Sequence, residues 1–467
     1  MIVGYFLWFI LSKLVPLDVI GVSSTVISLS IIFTTLVDLG ISNGSTRFLG
    51  RSFSEGENGD TKVLIKASLF LLCLAIVACS FTILVFEYMI FPATIGFNLI
   101  LVSILLFGVS SVYAMLRSAL ISSLETQSFP KITVLSSICK ISLTVFLVLV
   151  GAGVIGITIG YASAFVLGTV LLSHTLLSIL KPLQKEPRIS LSYACRSILL
   201  ASVPSWVPKV MSVIGAQLGI VVIFGAAGAS QAGSYFVAFY IFYAITAVMD
   251  SLFSITFPVL SAMRDGRKRL VWRILKMSLI ITLPISSTAI LYSNEIMAIF
   301  GPDYLQAALP LEIILLSSLT FTFNVAIVIL VYSYGNYWQV LSIGLGSSAS
   351  RILLYFFLVP LYGSTGAAIT FTAGSMIAFL ISVFIVKKIR MRIFWKEVAL
   401  IFTIPMTIAF VLDYFHVQYS IGIPSILLLT FTSFIALHLL TKSEVVDSLG
   451  ILPERIARPL IEMLDKL

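Results

Sequence analysis

Long apolar runs separated by short polar breaks fill almost the whole chain. A run of 18 or more residues with few charges has the length and character of a membrane-crossing helix. The pattern predicts helices near 2–15, 19–48, 62–86, 97–122, 131–150, 155–180, 195–225, 231–262, 270–293, 308–333, 338–359, 364–386, 397–414 and 420–440, fourteen in all. The breaks between them are too short for a separately folded domain. The first run departs from the rest. It reaches only about 21 Å before Pro16 at about 1.5 Å per residue, against about 30 Å of hydrocarbon. Either it docks against protein, or the chain starts upstream of Met1.

Composition agrees with a polytopic α-helical membrane protein. Hydrophobic residues make up 59% of the 467 and charged residues only 10%, too few to cover a water-facing surface. The distribution of charge then orients the helices, because basic residues are retained on the cytoplasmic side. Every second break is basic: Arg47, Arg51, Lys62 and Lys66; Arg117 and Lys131; Lys181, Lys185, Arg188 and Arg196; Arg264 to Lys276; Lys387 to Lys396. The intervening breaks hold Asp18, Glu87, Glu295, Asp303, Glu312 and Asp413, with at most Lys13 as a cation. The expected protein is therefore multi-pass in the plasma (inner) membrane, with both termini cytoplasmic. Its net charge of +9 lines the inner surface, where anionic lipid attracts it. No nucleic-acid partner is expected, since RDGRKR (264–269) is a short inter-helix loop without interleaved aromatics. The tail 442–467 reads as an amphipathic helix on the cytoplasmic surface.

The two halves echo each other at an offset near 211 residues. GAGVIGITIGYASA (151–164) aligns with LYGSTGAAITFTAG (361–374), placing Gly153 on Gly363 and Gly156 on Gly366. VIGVSSTVISLS (19–30) aligns with QAGSYFVAFYIF (231–242), placing Gly21 on Gly233. In these registers Asp38 falls on Asp250, and Lys140 within one position of Arg351. Two pseudo-symmetric six-helix lobes follow, 1–180 and 195–386, joined by a cytoplasmic linker 181–194. Helices 13 and 14 (387–441) stand outside the repeat. Parallel repeats of this kind are found in transporters, with the substrate site between them.

Four stretches carry a family resemblance: PLDVIGVSS…LVDLGISNGSTRFLGR (16–51), AGSYFVAFYIFYAI…FPVLS (232–261), IMAIFGPDYLQAALPLEIILLS (296–317) and LVPLYGSTGAAITFTAGSM (358–376). In order and with fourteen helices, the chain resembles the polysaccharide-transporter branch, the O-antigen-type flippases, of the multidrug/oligosaccharidyl-lipid/polysaccharide exporter superfamily. The short first span departs from that pattern. The resemblance implies two lobes in a V around a central cavity. It also implies alternating-access movement of a polyprenyl-linked oligosaccharide to the outer leaflet, with membrane lipid and polysaccharide assembly enzymes as partners and no cofactor.

Five ionisable residues sit well inside spans: Asp38, Lys140, Lys209, Asp250 and Arg351. A charge at the bilayer centre costs roughly 2.5–3.5 kcal/mol on insertion scales. The three cations lie too deep to snorkel, since about ten helical residues is about 15 Å. Hydroxyl and aromatic residues at spacings of three and four give each a polar stripe: Ser137 and Thr144 with Lys140, Ser202, Ser205 and Ser212 with Lys209, Ser348 and Tyr355 with Arg351, and Tyr240, Tyr243 and Ser254 with Asp250. Pro204 and Pro208 would interrupt the helix beside Lys209. Two readings stand. Lys140, Lys209 and Arg351 form a cationic cavity for a polyprenyl (pyro)phosphate, lined by Tyr240, Tyr243, Ser205, Ser348 and Tyr355. Alternatively, Lys140 or Arg351 pairs with Asp38 or Asp250 and holds one conformation. For the aspartates themselves, gating or ion pairing is expected ahead of proton coupling.

Weaker signals are set aside. GAGVIG (151–156) fits a dinucleotide fingerprint but lies in a hairpin between spans, without the strand such a site requires. The sequon Asn43-Gly44-Ser45 falls at the cytoplasmic end of a span. His174, His416 and His438 are scattered, and the four cysteines sit in apolar runs, so neither a metal site nor catalytic residues are expected. Trp8, Trp272, Trp338 and Trp395 lie near span ends, as an interfacial belt requires. An ion-coupled small-molecule antiporter on the same fold is the alternative, but a cation exporter calls for acidic charge at mid-depth. A membrane polysaccharide polymerase is more remote, because such enzymes need a sizeable outer loop.

Overall fold

The structure is a computed structural model that describes residues 2–54, 58–85, 97–123, 128–180 and 189–439. Regular structure among them is entirely helical. The helices are α1 (Ile2–Leu14), α2 (Leu17–Asp38), α3 (Ile41–Ser54), α4 (Asn58–Val85), α5 (Phe97–Ser122), α6 (Ser128–Leu149), α7 (Gly153–Leu180), α8 (Leu191–Ala227) and α9 (Ala229–Ala262). They continue with α10 (Arg267–Leu291), α11 (Ser293–Phe300), a 3-10 turn Pro302–Ala307, α12 (Ala308–Leu316), α13 (Ser318–Ser333), α14 (Tyr337–Lys388), α15 (Trp395–Tyr414) and α16 (Tyr419–Ala436). The predicted tail 442–467 and most of the linker, 181–188, lie outside the described residues.

Eleven of the described helices are long and apolar enough to span a membrane, and Pro302–Leu316 with Ser318–Ser333, bent by 44°, makes a twelfth span. α14 is two helices that meet at Gly363, where φ is 54° and ψ −132°. Counting α14 as two and adding the 13-residue α1 accounts for the fourteen expected segments. Large apolar side chains also face outward. Phe70, Leu74, Val77 and Phe81 on α4 are each more than half exposed, and their spacing puts them on one helix face. Only lipid suits such a stripe.

Besides the span at 308–333, which is the bent pair just described, two expected helices differ from the prediction. The span at 19–48 is broken: α2 stops at Asp38, Leu39 and Gly40 turn left-handed (φ 44° and 73°), and α3 restarts at Ile41. The span at 195–225 is instead one continuous helix, Leu191–Ala227, through the positions of Pro204 and Pro208.

The chain forms two compact units. One comprises Ile2–Val237 with Arg351–Ala367, the other Ala238–Ser350 with the chain from Ala368 on. In the first unit α1 buries Leu7, Trp8 and Leu11, with the Trp8 ring edge-on to Phe236 at 4.6 Å and tilted against Tyr161 at 5.8 Å. The short helix therefore docks on protein, and Trp8 belongs to the core rather than to an interfacial belt. Trp338, 82% exposed, keeps the belt position. Hydroxyls stitch α2 and α3 to α5, with Thr34 bonding Ser110 at 2.7 Å, Thr46 bonding Ser118, and Ser118 donating to the Ser42 carbonyl at 2.5 Å. Such bonds serve where water is absent.

The repeat glycines meet as well as match. A Cβ on Gly21 would lie 1.8 Å from the Ala229 carbonyl oxygen, and one on Gly233 would lie 2.8 Å from the Gly21 nitrogen. The other aligned pair, Gly153 and Gly363, both have positive φ, at 51° and 54°. Gly21→Ala is therefore expected to force α2 and α9 apart and destabilise by about 1–3 kcal/mol. Thermal unfolding in detergent checks it, with Gly50→Ala, whose Cβ would meet nothing within 4 Å, expected to leave the midpoint unlowered.

The second unit packs around Leu275, Leu279, Phe323, Ile327 and Leu330. Its basic residues do more than meet lipid headgroups. Arg267 donates to the Ser333 carbonyl at 2.5 Å, and Lys268 to the Ile389 carbonyl at 2.6 Å. Both acceptors are at helix C-terminal ends, where cations suit the helix dipole. Lys276, buried, pairs with Glu397 at 2.9 Å.

Candidate functional site

All three intramembrane cations, and Asp38, fall in the first unit. Lys140 sits beyond the middle of α6. Gly156 and Gly160 on α7, four apart, let the two helices close: a Cβ on Gly160 would lie 2.7 Å from the Thr144 Cα. The next residue, Tyr161, then receives Lys140, whose Nζ lies 4.7 Å from its ring centroid. Among the described residues Lys140 has no carboxylate partner.

Lys209 is held differently. It pairs with Asp38 at 3.0 Å, and one turn earlier Trp206 donates its indole N–H to the Thr35 carbonyl at 3.0 Å. Asp38 also accepts from the Ser42 backbone N–H at 3.1 Å and from the Ser42 hydroxyl. It thus caps the first turn of α3, where negative charge is favoured. The break at Gly40 is needed for this, because a Cβ there would lie 2.5 Å from the Ser202 carbonyl oxygen on α8. The pairing expected of Lys140 or Arg351 with an aspartate is made by Lys209 instead.

Arg351 is 6% exposed. One turn on, Tyr355 is wholly buried and donates to the Gly215 carbonyl at 3.3 Å. Its ring rests over Gly219, where a Cβ would come within 2.8 Å of it. Tyr355 therefore packs a helix interface rather than lining open space; the Gly215–Gly219 spacing forms the notch that swallows it. Gln231 accepts the Ser364 N–H freed by the Gly363 break, at 3.1 Å. A run of rings leads from Lys140 toward Arg351: Tyr161, Trp8 and Phe236, then neighbouring Tyr235, which reaches the Tyr355 hydroxyl.

Of the remaining candidates, all but Ser205 lie in the second unit. Asp250, half-buried on α9, has no ion-pair partner among the described residues. Tyr243 belongs to an aromatic cluster with Phe239 (4.8 Å), Phe242 (5.7 Å) and Phe321 (6.3 Å); Tyr240 beside it is half-buried. Ser348 is buried at 2% exposure and so lines no open space, because its face is packed against protein. The Ser205 side chain lies outside the described residues. The sequence reading assigned Trp8 to the interface and missed Tyr161, which was legible only as the residue following a G-x-x-x-G packing motif.

Residues 23–309, more than half of the chain, match the polysaccharide biosynthesis protein family. The chain belongs to that family. Solved structures agree in fold. The lipid II flippase MurJ, in an inward closed conformation, matches with a TM-score of 0.73 over 93% of this chain and 96% of that one, at 18% identity. An inward-facing multidrug resistance MATE transporter of the MOP superfamily follows at 0.61, 83% and 98%, with 14% identity. A Vibrio cholerae MATE transporter mutant gives 0.54, 83% and 94%, with 16% identity. A sequence comparison with curated proteins gave no match. Family and fold together bear out the polysaccharide-transporter branch expected from the four sequence stretches, and the chain is a multi-pass membrane protein.

Proposed function

We propose that this polysaccharide biosynthesis family member is a flippase. It moves a polyprenyl-(pyro)phosphate-linked oligosaccharide from the inner to the outer leaflet of the plasma membrane by alternating access, with both termini cytoplasmic. Repeats 1–180 and 195–386 act as the moving lobes. The observation that carries the reading is the charge balance of the first unit: three mid-helix cations and one intramembrane carboxylate, already engaged by Lys209. A buried anion of one to three charges needs that excess. Lys140, held by a ring rather than a carboxylate, keeps its N–H donors for phosphate oxygens. Arg351 offers a planar fork that fits two of them, while the lysines act as point charges. The likeness to a lipid II flippase supports the substrate class.

The MATE-like alternative calls for the opposite charge at mid-depth. The two are separated by reconstituting the full chain in liposomes and comparing a fluorescent polyprenyl-pyrophosphate oligosaccharide with ethidium. Accumulation of the lipid-linked glycan in the far leaflet, with ethidium unmoved, is expected. Ethidium transport without glycan movement would overturn the flippase reading.

A further inference from the structure

A cavity of about 630 Å³ opens in the second unit between the end of α10, α12 and the end of α15. α10 has 25 residues, about 37 Å at about 1.5 Å per residue, so its ends reach opposite membrane surfaces across about 30 Å of hydrocarbon. It begins at the basic loop and ends at this cavity. The cavity therefore lies at the membrane surface opposite the basic side.

Its walls are of two kinds. Leu291, Met406 and Phe410 make an apolar side, with Phe410 72% exposed and so turned to lipid. Asn294, Glu312 and Asp413 make the polar side. Glu312 is oriented by buried Ser293, which donates to its Oε1 at 2.5 Å. Tyr292, clustered with the lining residue Ala409, donates its hydroxyl to the Val417 carbonyl at 2.9 Å. Its ring sits so close to Gly422 that a Cβ there would lie 1.6 Å from the hydroxyl. Burial, then the charges of Glu295 and Asp413, push the Tyr292 phenol above its ordinary value, as expected where negative charge gathers. No lysine or arginine occurs in 277–350 or 397–441, so this end of the unit holds carboxylates without local basic partners.

An apolar wall open to lipid, beside fixed carboxylates at the membrane surface, selects an amphiphile with a cationic head. The volume suits a headgroup and its glycerol, within the usual range for small-molecule sites. Among the described residues no three metal-ligating side chains converge, which argues against a simple ion site. We propose that the cavity binds a phospholipid with a primary ammonium headgroup. Glu312 and Asp413 receive the ammonium, the Asn294 amide donates to the phosphate, and the acyl chains run along Met406 and Phe410. A primary ammonium brings three N–H donors. A trimethylammonium brings none, and an anionic head is repelled.

Native mass spectrometry of the full chain, purified from vesicles of equal phosphatidylethanolamine, phosphatidylcholine and phosphatidylglycerol, tests this without any transport readout, so it stands or falls separately from the flippase reading. The wild type is expected to retain phosphatidylethanolamine selectively. Glu312→Gln with Asp413→Asn should lower that retention about 5–30-fold, from two partly exposed charge contacts of about 0.5–1 kcal/mol each. Because Glu312→Gln also touches Ser293, Asp413→Asn alone, with unchanged thermal unfolding, should give an intermediate loss. Equal retention of the three lipids by the wild type overturns the proposal. So does undiminished phosphatidylethanolamine retention in the double variant, or its full displacement by millimolar phosphoethanolamine, which lacks acyl chains.

Discussion

Lys140→Ala is expected to slow lipid-linked oligosaccharide transport by about 10- to 150-fold while leaving the fold intact. That range follows from losing one hydrogen-bonding charge to phosphate, worth about 1.5–3 kcal/mol. The intact fold follows from what Lys140 touches now. Its ammonium lies over the Tyr161 ring, and among the described residues no carboxylate is left unpaired by its removal. A cation–π contact contributes only about 0.5–2 kcal/mol. Tyr161→Leu should lower transport less, by releasing the ammonium without deleting it, while Tyr161→Phe keeps the ring and should be near wild type. Flipping rates in proteoliposomes, with unfolding midpoints for each variant, check the set.

Lys209→Ala should show the reverse priority. Asp38 is 5% exposed at its side chain and caps the break between α2 and α3. Removing Lys209 strands a buried carboxylate, which for a fully buried pair costs about 3–5 kcal/mol. Lys209 is itself 40% exposed, so about 2–3 kcal/mol is expected here. Adding Asp38→Asn should restore most of the stability, since the amide oxygen still accepts from Ser42 while the stranded charge is gone. Thermal unfolding of wild type, both single variants and the double gives the coupling directly. Additive losses would mean that packing, not charge, sets the effect.

These two lysines look alike in the sequence, each alone in an apolar run with hydroxyls on its face. Only the fold separates them. The number of spans, their approximate limits and the repeat were legible because apolar length and glycine spacing act locally and over tens of residues. The break after Asp38 was less so: Asp-Leu-Gly inside an apolar run reads as helix until α8 is known to press against Gly40. The prolines near Lys209 misled in the other direction, since α8 runs on through them. Tyr355 was placed on the right helix face but assigned to open space, because nothing in the spacing Ser348, Arg351, Tyr355 announces the notch at Gly215 and Gly219. Trp8 read as interfacial from its position near a chain end, although it is sealed between Tyr161 and Phe236.

The central claim is that mid-membrane cations of the first unit hold a (pyro)phosphate head. Its most direct measurement is the affinity of the purified full chain for polyprenyl pyrophosphate bearing no sugar. Lys140→Ala and Arg351→Ala should each raise Kd about tenfold, for about 1.4 kcal/mol apiece. Unchanged Kd in both folded variants would contradict the account.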